Sequence, residues 1–78
     1  MEIKILGKGC PKCQRLEELA RDAATEAGVE ATFTKVKDVD DIMAYGVAIT
    51  PALVIDEVLK CSGRLPQKSE IITWLQGG

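Results

Sequence analysis

Apolar and polar positions change period several times along the chain, and each change marks an element. Residues 2–6 alternate, with Ile3 and Ile5 on one face and Glu2 and Lys4 on the other, which predicts a strand. From 11 to 27 the period lengthens. Cys13, Leu16, Ala20, Ala23 and Ala27 recur in steps of three and four, joined by Leu19 and Ala24, which predicts a helix. Pro11 suits its first position, and Gly28 its C-terminal stop. The alanines imply close packing on a sheet, and Glu17 and Glu18 complement Arg21 on the outer face. Alternation returns over 29–36, with Val29, Ala31 and Phe33 inward and Glu30, Thr32 and Thr34 outward; Val36 breaks the parity. Strand, helix, strand in this order predicts a right-handed βαβ unit with parallel strands.

The second half reads as shorter pieces. Asp38 caps a short helix with Val39, Ile42 and Met43 as its inner face and Gly46 as its stop. Tyr45 is read as amphipathic cover. Val47-Ala48-Ile49-Thr50-Pro51 leads into a buried strand, Ala52-Leu53-Val54-Ile55. A proline is tolerated at a strand's first residue, and from the sequence alone the trans form of Thr50-Pro51 is the expectation. Asp56-Glu57 reads as a two-residue hairpin turn without the usual glycine, and Val58 to Ser62 returns antiparallel. Gly63-Arg64-Leu65-Pro66 breaks the chain, Gln67 to Gln76 forms a closing helix on Ile71, Ile72, Leu75 and Trp74, and Gly77-Gly78 is a tail. The result is βαβ, a short α, then ββα.

Composition narrows the class. At 78 residues, 46 % of them hydrophobic, the chain is expected to form one ordered domain spanning 1–78. Ten basic and twelve acidic residues are well mixed at a net charge of -2, so no basic stripe marks a nucleic-acid surface. No histidine is present, which excludes histidine-dependent triads and histidine-containing zinc sites. Three cysteines, an odd count, do not make a secreted disulfide framework. No basic region leads into a long apolar stretch, and no apolar run spans a bilayer, so no membrane association is expected and the cytoplasm is the expected compartment.

The chemistry concentrates in Gly9-Cys10-Pro11-Lys12-Cys13, between the first strand and the first helix. Residues three apart share a helix face, so Cys10 would sit at the tip and Cys13 one turn inside. Near the N-cap, Cys10 faces unpaired backbone N–H groups and the positive end of the helix dipole, which favour thiolate, the nucleophilic form. Lys12 adds positive charge. Gly7-Lys8-Gly9 lacks the spacing and the Lys-Ser/Thr pair of a phosphate loop. Cys10 and Cys13 are therefore read as a redox-active dithiol. A soft-metal (Cu or Zn) carrier using the same Cys-x-x-Cys pair is the alternative. Cys61 is read as a small core hydrophobe and Lys8 as a solvated loop lysine.

With Cys-Pro-Lys-Cys after the first strand and Thr50-Pro51 before the third, the chain resembles the minimal thioredoxin fold. It is similar to the small, glutaredoxin-sized redox-active disulfide proteins of archaea and bacteria. The resemblance covers essentially the whole chain. It implies an α/β, thioredoxin-like fold, a central four-stranded mixed sheet with flanking helices in the order βαβαββα. It implies Cys10 as attacking thiolate, Cys13 as resolving thiol, and Pro51 as a cis proline against the disulfide. Thr50, Pro51, Pro11 and Lys12 would meet the substrate. The implied activity is reduction of protein disulfides, with no bound cofactor or metal, by a monomer re-reduced by a thioredoxin-reductase-type protein. The chain departs from the pattern in several places, among them Lys12, where glutaredoxins usually have a tyrosine. Gly9 replaces the tryptophan of Trp-Cys-Gly-Pro-Cys. Lys4 stands where thioredoxins carry a buried acid. Gly63-Arg64-Leu65 replaces the glycine pair and acid with which glutaredoxins hold glutathione. Heavy-metal-associated domains also place Cys-x-x-Cys after strand one, but with a methionine where this chain has Lys8, and in the order βαββαβ.

Overall fold

A computed structural model of the chain describes residues 1–9 and 11–77. Cys10, on which the nucleophile assignment falls, and Gly78 lie outside the described residues. The elements run β1 (Glu2–Leu6), α1 (Pro11–Ala27), β2 (Thr32–Val36), α2 (Val39–Ala44), β3 (Ala52–Ile55), β4 (Val58–Ser62) and α3 (Lys68–Leu75). The four strands form one mixed sheet in the order β2-β1-β3-β4. β1 pairs parallel with β2, and antiparallel with β3, which pairs antiparallel with β4.

The alternation of β1 divides the core. Ile3 and Ile5 join Leu53, Ile55 and Cys61 beneath Leu16, Ala20, Ala23 and Ala24 of α1 and Ile71 and Leu75 of α3. Leu6 turns to the other face and meets Ala52 and Val54, which are covered by Ile42 of α2 and by Val47. All of β3 is buried because helices or loops cover both of its faces. The alanine stripe lets α1 lie close to the sheet, since Ala20 and Ala23 are fully buried without a long side chain between backbone and strands.

Several sequence expectations need correction. β2 starts at Thr32 rather than 29. The amide of Gly28 donates to Thr25 O and that of Val29 to Ala24 O, so the segment after α1 is first used to close the helix. Pairing begins only where β1 offers a partner, at Glu2 opposite Thr32. Val36 breaks parity because it packs on the α2 face, whereas Phe33 packs on the α1 face. In α2 only Ile42 is buried; Val39 and Met43 are 44 % and 63 % exposed. Asp38 caps that helix as expected, accepting the amide of Asp40 at 2.8 Å. α3 is shorter than 67–76, with Gln67 and Gln76 as its caps.

The β3–β4 hairpin turns through Asp56 and Glu57, both at positive φ (48° and 67°), the geometry that matches the twist of two-residue hairpins. Without a glycine, side chains hold the turn. Asp56 Oδ1 accepts the Glu2 amide at 2.8 Å. Glu57 accepts from Tyr45 Oη at 3.0 Å and from Lys4 Nζ. Tyr45 is thus more than cover, because its hydroxyl also accepts from Lys4 Nζ at 2.7 Å.

Candidate active site

β1 delivers the chain to the end of the sheet at Leu6, and the Gly7 amide extends the pairing by donating to Val36 O at 2.9 Å. Gly7 is buried, and it brings two distant stretches together. A Cβ built on it would lie 2.2 Å from Cys13 Sγ and 3.7 Å from Thr50 Cβ. Only a residue without a side chain admits the thiol so close to the strand backbone. Gln14 Nε2 donates to Gly9 O at 3.2 Å and ties the loop to α1.

Pro11 opens α1, where its missing N–H leaves no intrahelical bond unmade. Pro11 and Lys12 are exposed, while Cys13 is 4 % exposed and faces inward. The first turn of α1 carries no acidic residue, so no carboxylate there offsets the positive end of the helix. The Thr50–Pro51 peptide bond is cis, as the resemblance implied and against the general expectation of trans. Pro51 is buried and its carbonyl accepts from Gly63 N at 2.9 Å, while Thr50 is exposed. Among the described residues, then, Cys13 and Thr50 come together across Gly7; Pro51, next to Thr50, is buried, and Pro11 and Lys12, at the start of α1, are exposed.

Two hollows flank this point. One, of about 220 Å³, is lined by Ile5, Gly7, Cys13, Glu17, Lys35 and Lys37, among others. The second is an open, mostly apolar groove of about 590 Å³ bounded by Val39, Ile42, Met43, Val47, Ala48 and Thr50. Lys8 is exposed, as expected of a loop lysine, and stands at the edge of both. Ile49, beside Thr50, is 66 % exposed.

Glu17 was read as an outer-face charge. Its side chain is only 16 % exposed, held by Lys35 Nζ and Arg21 Nη2 at 2.9 Å each, and it lines the Cys13 hollow. Lys35, then Arg21, hold its carboxyl below the usual range. The signal was present in the sequence, since a residue four after Cys13 shares its helix face. Glu18 pairs instead with Arg15 at 3.1 Å. Cys61 lies in the core, where burial raises its thiol. Among the described residues no group of three or more histidine, cysteine, aspartate or glutamate side chains is gathered as a metal site, and no helix is long and apolar enough to cross a membrane.

The family model described as Thioredoxin domain matches residues 1–76. A thioredoxin of Methanothermobacter thermautotrophicus is 45 % identical over 71 residues, covering 91 % of this chain and 92 % of that protein. A thioredoxin of Methanocaldococcus jannaschii is 37 % identical over 79 residues, covering 96 % of this chain and 91 % of its own. The four-stranded mixed sheet, the three helices and these matches agree, and the chain belongs to the thioredoxin family of thiol–disulfide oxidoreductases.

Proposed function

We propose that this chain reduces protein disulfides by dithiol exchange through Cys10 and Cys13. The Cys10 thiolate attacks one sulfur of the substrate disulfide and releases the other as a thiol. Cys13 then attacks Cys10, frees the reduced substrate and leaves a Cys10–Cys13 disulfide. The observation that carries this reading is the approach of Cys13 Sγ and Thr50 to one another across Gly7. That approach unites the Cys-Pro-Lys-Cys motif with the Thr-Pro loop, which lie far apart in sequence. Thr50, Pro51, Pro11 and Lys12 would receive the substrate strand, and the apolar groove beside Thr50 offers a surface for a protein side chain rather than a small polar thiol.

The electron donor in this reading is a thioredoxin-reductase-type protein. Gly63 already donates its amide to Pro51, Arg64 is paired with Glu70 at 2.9 Å and Leu65 packs on the core, so the groups at this position are engaged within the chain, which favours a protein donor over glutathione. The cysteine usage fits a reducing compartment, the cytoplasm. A metal carrier of the heavy-metal-associated type would follow the order βαββαβ, whereas the elements here run βαβαββα.

The test is reduction of insulin disulfides with dithiothreitol as the electron source. Cys10→Ser should abolish the activity. Cys13→Ser should accumulate a mixed disulfide between Cys10 and the substrate, visible by intact mass. Activity retained in Cys10→Ser would overturn the assigned nucleophile.

A further inference from the structure

The second exchange step requires the Cys13 thiol to lose its proton, because the thiolate is the attacking form. Lys4, at the β1 position where the thioredoxin pattern has a carboxylate, cannot accept it. Its ammonium is engaged with Tyr45 and Glu57 on the α2 side of the sheet. The Cys13 hollow lies on the α1 side, where Ile5 forms part of its wall. Among the described residues lining that hollow, Glu17 is the one carboxylate. It follows Cys13 by four residues, so the two stand one above the other on α1. Its side chain is 16 % exposed and is held from β2 by Lys35 at 2.9 Å.

We propose that Glu17 receives the thiol proton of Cys13 as Cys13 attacks the mixed disulfide. This rests on the reading of Cys10 and Cys13 as the exchanging pair. The Cys13 sulfur bonds to the Cys10 sulfur, the bond from Cys10 to the substrate sulfur breaks, and its electron pair leaves with the substrate as a thiolate. The proton passes from Cys13 to the Glu17 carboxylate and on to the departing thiolate, so Glu17 ends ionised again. Negative charge passes from Glu17 through the attacking Cys13 sulfur to the departing substrate sulfur and returns to Glu17 with the last proton transfer, beside Lys35, which lines the same hollow. Lys35, and then Arg21, hold Glu17 below the ordinary carboxylate range, which favours its basic form. A carboxylate held below its ordinary range is a poor resting place for a proton, and the transfer therefore coincides with sulfur–sulfur bond formation. The other charges around the hollow are Lys8 from the loop before α1 and Lys37 after β2.

Stopped-flow reaction of the reduced full chain with one equivalent of the disulfide reagent DTNB tests this directly. Thionitrobenzoate is released once when Cys10 is capped and again when Cys13 resolves the mixed disulfide. In the native chain the second phase should stay nearly level between about pH 6 and 8. In Glu17→Gln it should be about 100-fold slower at pH 7, and should climb about tenfold per pH unit as the thiolate fraction grows. The first phase should keep its rate in that variant, which also reports an intact fold. Glu17→Asp, which keeps a carboxylate opposite Lys35, should retain a level profile at a lower rate. A second phase in Glu17→Gln that tracks the native profile would overturn the inference and leave the dithiol reading standing. A native chain that never gives a second release would overturn both.

Discussion

Cys13 Sγ occupies the space that a side chain on Gly7 would fill: a Cβ there would stand 2.2 Å from the sulfur. Gly7→Ala must therefore displace the thiol or the end of β1. The expected cost is that of overpacking a fitted interior, about 1–3 kcal/mol, read from urea denaturation. The same variant should slow the second DTNB release, because the resolving sulfur has moved. Unchanged stability and unchanged kinetics together would show that the thiol does not rest against Gly7.

Much of this architecture was legible in the chain, for identifiable reasons. α1 declared itself through Pro11, Gly28 and a stripe from Cys13 to Ala27, all local signals. The Asp56-Glu57 turn was readable from the apolar runs on either side. What stayed hidden depends on partners distant in sequence. The start of β2 is set by where β1 begins, and residues 29–31 alternate without a strand to pair with. Val39 and Met43 have helical spacing but lie on a six-residue helix from which only Ile42 reaches the core. Apolar periodicity cannot separate a core face from the wall of an open groove. The two-against-one register of β4 around Leu53 and Val54, which sets Lys60 apart between Leu59 and Cys61, left no mark in composition either. At the site, the Cys-Pro-Lys-Cys and Thr50-Pro51 motifs were visible, but Gly7 stood out only as part of Gly7-Lys8-Gly9, a stretch without the pattern of a phosphate loop. Its role is a contact with a side chain on the next element.

Acid should expose the Lys4–Glu57 pair. Lys4, and then Tyr45, hold the Glu57 carboxyl below its ordinary range. The same bonds, Glu57 foremost, push Lys4 above the usual lysine range, so it remains charged throughout the acid titration. A carboxyl lowered on folding contributes stability above its unfolded value and loses it as pH falls through the folded one. Glu57→Gln should therefore melt below the native chain at neutral pH, and the gap should close as pH falls from about 5 toward about 2. Glu57 is 60 % exposed, so the gap should be small and should shrink with added salt. A gap that widens toward acid would contradict the pairing.

Cys61 should behave as packing rather than chemistry. Burial is the main cause that raises its thiol, which leaves little thiolate at mild pH. Iodoacetamide should therefore modify it far more slowly than Cys10 in the folded chain, and at a comparable rate once the chain is unfolded in urea. Cys61→Ala should leave insulin reduction intact at a stability cost of about 1 kcal/mol, that of a small core deletion. Loss of activity in that variant would bring the third cysteine into the redox cycle.

The most direct measurement is the midpoint potential of the Cys10–Cys13 couple, by alkylation and intact mass after equilibration in thiol redox buffers without added metal. The account predicts a single two-electron transition near about -270 mV or lower, the poise of a reductant served by a protein reductase. A transition near about -200 mV would contradict the proposed donor and point to glutathione. If no disulfide forms between Cys10 and Cys13 at any poise, the dithiol mechanism itself is contradicted.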